Sequence, residues 1–266
     1  MFRTRLISGI VLIVLAVGAI MAGKNVVFAV CVLLSFIGLY EYYRVTGLER
    51  SSLGMAGYAA CALHYLLVAT GNERHTALFI IGALMVIMTI YVLQFPKYRI
   101  EQATNAFFGV VYPGVMLSYV YYVRAMQDGM VLVWIIVLSA WGSDTLAYCA
   151  GRLFGRHKMA PVLSPKKTVE GAIGGVLGAA LLGFLFGMAF GRYMHEVTRP
   201  ELVCAVSCGV GGLISMVGDL AASGIKRDHD VKDYGNLIPG HGGVLDRFDS
   251  MIFTAPAVYF AIVFLL

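Results

Sequence analysis

Residues 77–95 read ALFIIGALMVIMTIYVLQF, nineteen positions without one charged side chain. As a helix this run would rise about 28 Å, close to the roughly 30 Å of a bilayer's hydrocarbon core. Eight further runs have the same character, at about 5–23, 26–41, 54–70, 105–124, 130–150, 171–191, 201–221 and 251–266. The second and the last are short for a span. The first follows Arg3 and Arg5 as a signal peptide would, but eight runs behind it favour an uncleaved first helix. Composition agrees: 59% of the 266 residues are apolar, 13% are charged, and mean hydropathy is +0.81. A soluble domain carries about twice that share of charge. The predicted fold is an all-α polytopic integral membrane protein of about nine transmembrane helices.

Placing the N-terminus in the cytoplasm puts fifteen Lys and Arg in inner segments and five in outer ones. That is the bias of cytoplasmic loops, so the net charge of +5 reads as membrane orientation rather than as nucleic-acid binding. The predicted setting is the cell (inner) membrane, crossed several times. Division falls between N-terminal helices (1–104) and a C-terminal bundle (105–266). Two long inner connections, 151–170 and 222–250, place the chemistry on the cytoplasmic side of that bundle. Cys31, Cys61, Cys149, Cys204 and Cys208 lie in apolar stretches without a CxxC pair, which indicates neither disulfides nor zinc. Gly171, Gly175, Ala179, Gly183, Gly187 and Gly191 recur every four residues, a stripe suited to close helix packing.

Carboxylates are expensive at membrane depth and normally face a polar cavity. Asp144 falls inside the sixth run and Asp219 near the inner end of the eighth. If the eighth helix continues through 226, Asp219, Ser223 and Lys226 share one face. Asp246 and Asp249, three apart, precede the ninth run. Such oxygen ligands suit a hard cation such as Mg²⁺. Lys226, Arg227, Lys232 and Arg247 suit phosphate oxygens. Between them, glycines 240, 242 and 243 surround His241, a turn whose backbone N–H groups can approach an anion.

The pattern Ser223-x₂-Lys226-Arg227-x₄-Lys232-Asp233-x₅-Pro239-x-His241-Gly242-Gly243-x₂-Asp246-Arg247-x-Asp249 resembles the signature of the phosphatidate cytidylyltransferases, or CDP-diacylglycerol synthases. Trp141-x₂-Asp144-x₂-Ala147-Tyr148-x₂-Gly151-Arg152 and Ser164-Pro165-Lys166-Lys167-Thr168-x-Glu170-Gly171 are similar to further pieces of that family. Val169 stands where Trp is often found. The close likeness covers about 141–250; before it, only hydropathy is similar. The resemblance implies transfer of CMP from CTP to phosphatidate, giving CDP-diacylglycerol and pyrophosphate, by a Mg²⁺-dependent homodimer. It further implies Asp219 and Asp246 as metal ligands, beside a monovalent cation such as K⁺. Candidates for catalysis are then Asp219, Lys226, Asp246 and Asp249. Candidates for substrate binding are Asp144, Lys166, Lys167, Ser223, Arg227, Lys232, His241, Gly242, Gly243 and Arg247. The rival readings are a polyprenol-type lipid kinase, a cytidylyltransferase for another lipid, or a transporter. A transporter fits poorly, because the polar residues gather on one side instead of at the midplane.

Overall fold

A computed structural model describes residues 2–240 and 242–266. It is helical almost throughout. In order come α1 (Phe2–Ala22), α2 (Lys24–Val45), α3 (Ser52–Ala69), α4 (Thr76–Leu93), α5 (Ile100–Gly109), α6 (Met116–Ala125), α7 (Gly129–Val137) and α8 (Ser143–Phe154). A short antiparallel hairpin, β1 (Lys158–Ala160) and β2 (Ser164–Thr168), leads to α9 (Val169–Phe190), α10 (Pro200–Asp228) and α11 (Leu245–Leu265). Among the described residues, eight helices are long and apolar enough to cross a membrane, counting 100–125 and 129–154 as one each. The expected ninth is α1, whose qualifying apolar part is the shorter stretch Ile7–Ala22.

Side-chain burial explains why this is a membrane fold. In α4 the buried residues are Phe79, Ala83 and Ile87, a narrow stripe at helical spacing. Leu78 and Met85, on its other faces, are 68% and 65% exposed. In water such an outer surface would be unsustainable; against lipid it costs nothing. The glycine stripe of α9 is likewise the buried face, at Gly171, Gly175, Ala179, Gly183 and Gly187. A Cβ on Gly175 would stand 2.8 Å from Ala147 Cβ of α8, and one on Gly183 2.7 Å from Cys208 Cβ of α10. The stripe therefore joins helices within this chain, and Cys204 and Cys208 are packing residues in the seam.

Two spans are continuous helices interrupted by a π turn. One, Val110–Val115, contains Pro113, which has no N–H to give; Ser35 Oγ donates to the Pro113 carbonyl at 2.7 Å. The other, Leu138–Gly142, immediately precedes Ser143 and Asp144 and so sets which way Asp144 points. Local signals start three other helices: Ser51 caps α3, Thr168 caps α9, and Pro200 occupies the first turn of α10.

Long-range hydrogen bonds define the two ends of the bundle. At one end Ser8 Oγ donates to the Pro239 carbonyl at 3.2 Å, and Arg44 to that of Tyr234 at 2.6 Å. At the other, Arg124 donates to the Ile20 carbonyl, and the Glu196 amide to Asp128. The connection expected over 222–250 is shorter than the charge pattern indicated. α10 continues through Asp228 and α11 begins at Leu245, leaving 229–244 as the loop. Asp246 and Asp249 consequently sit in the first turns of α11 rather than ahead of it.

Candidate active site

The sequence-predicted residues assemble at the end that holds residues 8, 44 and 234. α10 runs unbroken through Lys226, so Asp219, Ser223 and Lys226 do descend one helix in steps of four and three. Lys226 Nζ meets Asp246 Oδ1 at 2.8 Å across to α11. Asp246 Oδ2 accepts the backbone N–H of Tyr234 at 2.8 Å and of Gly243 at 2.9 Å. Three donors, one of them charged, thus converge on one buried carboxylate.

This explains the glycines. Gly242 has φ +85°, a left-handed conformation, and a Cβ there would stand 2.8 Å from Asp246 Oδ2. The turn does bring N–H groups to an anion, as its composition suggested, but the anion it grips is the chain's own Asp246. His241 lies outside the described residues.

A second acidic–basic pair forms beside the first. Lys167, delivered by β2, makes an ion pair with Asp219 of α10. Asp144 is accessible because it lines a cavity of about 410 Å³ together with Tyr148, Arg152, Lys166, Lys167 and Asp219. Asp144, Asp219 and Asp249 lie within electrostatic reach of one another, and Asp249 within reach of Lys226. The hairpin that carries Lys166 and Lys167 is held by Glu170, whose carboxylate accepts the Arg156 N–H at 3.0 Å and pairs with His157 Nδ1 at 2.5 Å. A separate cavity of about 530 Å³ is lined by Lys232, Asp233, Asn236, Ile238 and Arg247. Arg227 is exposed at the end of α10, and Ser223 is partly exposed.

Sequence reasoning missed two contributors. Glu41, in the last turns of α2, is buried; its two oxygens accept the N–H groups of Val244 at 3.0 Å and Leu245 at 2.9 Å. The rule that an intramembrane carboxylate has a purpose, applied to Asp144 and Asp219, also holds for Glu41. Tyr112, in the first π turn, buries a hydroxyl that has no hydrogen-bond partner among the described residues and lies within electrostatic reach of Asp219 and Asp249. No pattern in its neighbourhood announces it. Tyr234 in the loop is fully buried, and burial pushes its phenol above the usual tyrosine range, keeping it a neutral donor to the Ala222 carbonyl.

A sequence profile of the cytidylyltransferase family matches residues 3–265. The chain belongs to that family. The match extends through the N-terminal helices, where the motifs alone gave no likeness beyond hydropathy. Among its relatives, the phosphatidate cytidylyltransferase of Synechocystis sp. is 33% identical, over 98% of this chain and 97% of its own. That of Staphylococcus epidermidis is 30% identical over 96% of each chain. That of Bacillus subtilis is 28% identical over 97% of this chain and 96% of its own. Membership makes the chain a cytidylyltransferase, and its long apolar helices make it a membrane protein.

Proposed function

We propose that this cytidylyltransferase joins CTP and phosphatidate, releasing pyrophosphate and leaving CDP-diacylglycerol in the membrane. The observation that carries the reading is the meeting of two Lys–Asp pairs, Lys167–Asp219 and Lys226–Asp246, at one end of an apolar bundle. Both substrates are phosphate esters. One arrives from water and the other is anchored by acyl chains, so a polar site at the lipid boundary serves both.

In the reaction a phosphatidate oxygen forms a bond to the α-phosphorus of CTP, and the bond from that phosphorus to the bridging oxygen of pyrophosphate breaks. The attacking phosphate is already anionic near neutral pH, so no strong base is needed. What the chain must supply is alignment and positive charge. Lys166 and Lys167 line the 410 Å³ cavity and would hold the phosphatidate headgroup. Lys232 and Arg247 line the 530 Å³ cavity and would receive the nucleotide phosphates. Lys226, on α10 and paired with Asp246, would face the charge that develops on the departing pyrophosphate.

The donor set fits Mg²⁺. Its oxygens are hard, and Asp144, Asp219 and Asp249 lie within electrostatic reach of one another. Mg²⁺ is commonly held by one or two carboxylates, with water and substrate phosphates completing the shell. Asp219 and Asp246 would hold it, with Asp249 and the Tyr112 hydroxyl within electrostatic reach of Asp219. Bound there, Mg²⁺ would neutralise triphosphate charge and polarise the α-phosphorus. A monovalent cation such as K⁺ beside it, a homodimer, and a site facing the cytoplasm of the inner membrane belong to the same proposal.

The test is direct. Purified protein in detergent, given CTP, Mg²⁺ and phosphatidate, should release pyrophosphate. Omitting the lipid or chelating the metal should abolish release. Release without lipid, or transfer of a γ-phosphate to a polyprenol instead, would overturn the assignment.

A further inference from the structure

We infer that Glu41, on a helix remote in sequence from every motif of the site, is the positioning residue that holds Asp246 in its working geometry. Its carboxylate takes the first two free N–H groups of α11, those of Val244 and Leu245. A helix start has unsatisfied amides and a partial positive charge, so a carboxylate there fixes the helix end strongly. Asp246 is the next residue along. With both preceding amides committed to Glu41, Asp246 is left to accept from Tyr234, Gly243 and Lys226.

The loop is built around this side chain. A Cβ on Gly235 would stand 2.9 Å from Glu41 Cδ, and one on Gly243 2.6 Å from it. A side chain at either position would displace the Glu41 carboxylate from where it now sits. One turn further along α2, Arg44 fastens the Tyr234 carbonyl at 2.6 Å. Residue 234 thus gives its N–H to Asp246 and its C=O to Arg44. Two residues of α2 therefore hold the 229–244 loop, at residue 234 and at its C-terminal end, and Glu41 acts on the chemistry only through Asp246.

The substitution that tests this is Glu41→Gln, which keeps the shape but offers one acceptor oxygen and places an NH₂ donor against the second amide. Full-length protein in detergent is compared by amide hydrogen exchange and by steady-state kinetics. Exchange at 242–247 should accelerate at least about tenfold, while exchange within α9 keeps its wild-type rate. kcat should fall at least about tenfold, with KM for phosphatidate within about twofold, because the lipid cavity does not touch Glu41. Arg44→Ala should give the same pattern more weakly, and it carries the test if the Glu41 variant fails to fold. Wild-type exchange rates at 242–247, or faster exchange with unchanged kcat, would overturn the role. The kinetic arm rests on the proposed transfer reaction. A wild-type protein inactive on CTP and phosphatidate would refute that reaction, and the exchange arm would still decide whether Glu41 holds the loop.

Discussion

Replacing Asp246 by Asn removes a charge and one acceptor while keeping size. Three donors point at this carboxylate, and an amide has a single oxygen to offer them. If that oxygen takes the Tyr234 and Gly243 amides, the NH₂ faces the Lys226 ammonium, donor against donor. If it takes Lys226 instead, both backbone amides face a donor. Either arrangement forfeits a charge-assisted hydrogen bond, about 1.5–3 kcal/mol, and leaves a mostly buried ammonium uncompensated. About 3 kcal/mol at the transition state is a loss in turnover of roughly 10². Adding Lys226→Met to Asp246→Asn should cost less than Lys226→Met alone, because the apolar side chain relieves the donor–donor conflict. A coupling energy of about 0.5–3 kcal/mol is the scale for partners in contact. The assay is pyrophosphate release at saturating Mg²⁺, with detergent melting curves to confirm folding. Near-normal turnover of Asp246→Asn, or strict additivity in the double variant, would refute the shared role.

Three further outcomes follow from the same geometry. Lys167→Met and Asp219→Asn should each fold and insert yet reduce pyrophosphate release by about 10², since each strips the hairpin's ion pair from the proposed site; unchanged rates would make that pair structural. Gly183→Leu should lower the melting midpoint by an overpacking cost of about 1–3 kcal/mol, because even its Cβ would stand 2.7 Å from Cys208 Cβ; an unchanged midpoint would mean the seam opens freely. Leu237→Cys, in a Cys149→Ser background that removes an exposed thiol, should react with an impermeant maleimide only from the cytoplasmic face; labelling in intact cells would invert the topology.

What was legible in the sequence follows from where the physics is local. Hydrophobic length is local, so every apolar run appears as a helix, including 26–41, which looked too short and is extended to Lys24–Val45 by ends that carry Lys24, Glu41 and Arg44. Helical periodicity is local, so Asp219, Ser223 and Lys226 share one helix as their spacing predicts. The pairing partners were not legible: nothing in the spacing says that Lys167 seeks Asp219 while Lys226 seeks Asp246. The π turns were hidden as well, because an extra residue in a turn leaves hydropathy unchanged even as it re-aims Asp144. By composition, the glycines near 242 form a turn whose N–H groups can approach an anion. Their first duty is to admit two of the chain's own carboxylates, Asp246 and Glu41, at distances no Cβ would permit. A Gly-rich turn in a charged loop therefore reports close approach to an anion without saying whose anion it is. Here the answer required Glu41, about two hundred residues away, and an intramembrane carboxylate in an otherwise apolar helix was the only trace of it in the sequence.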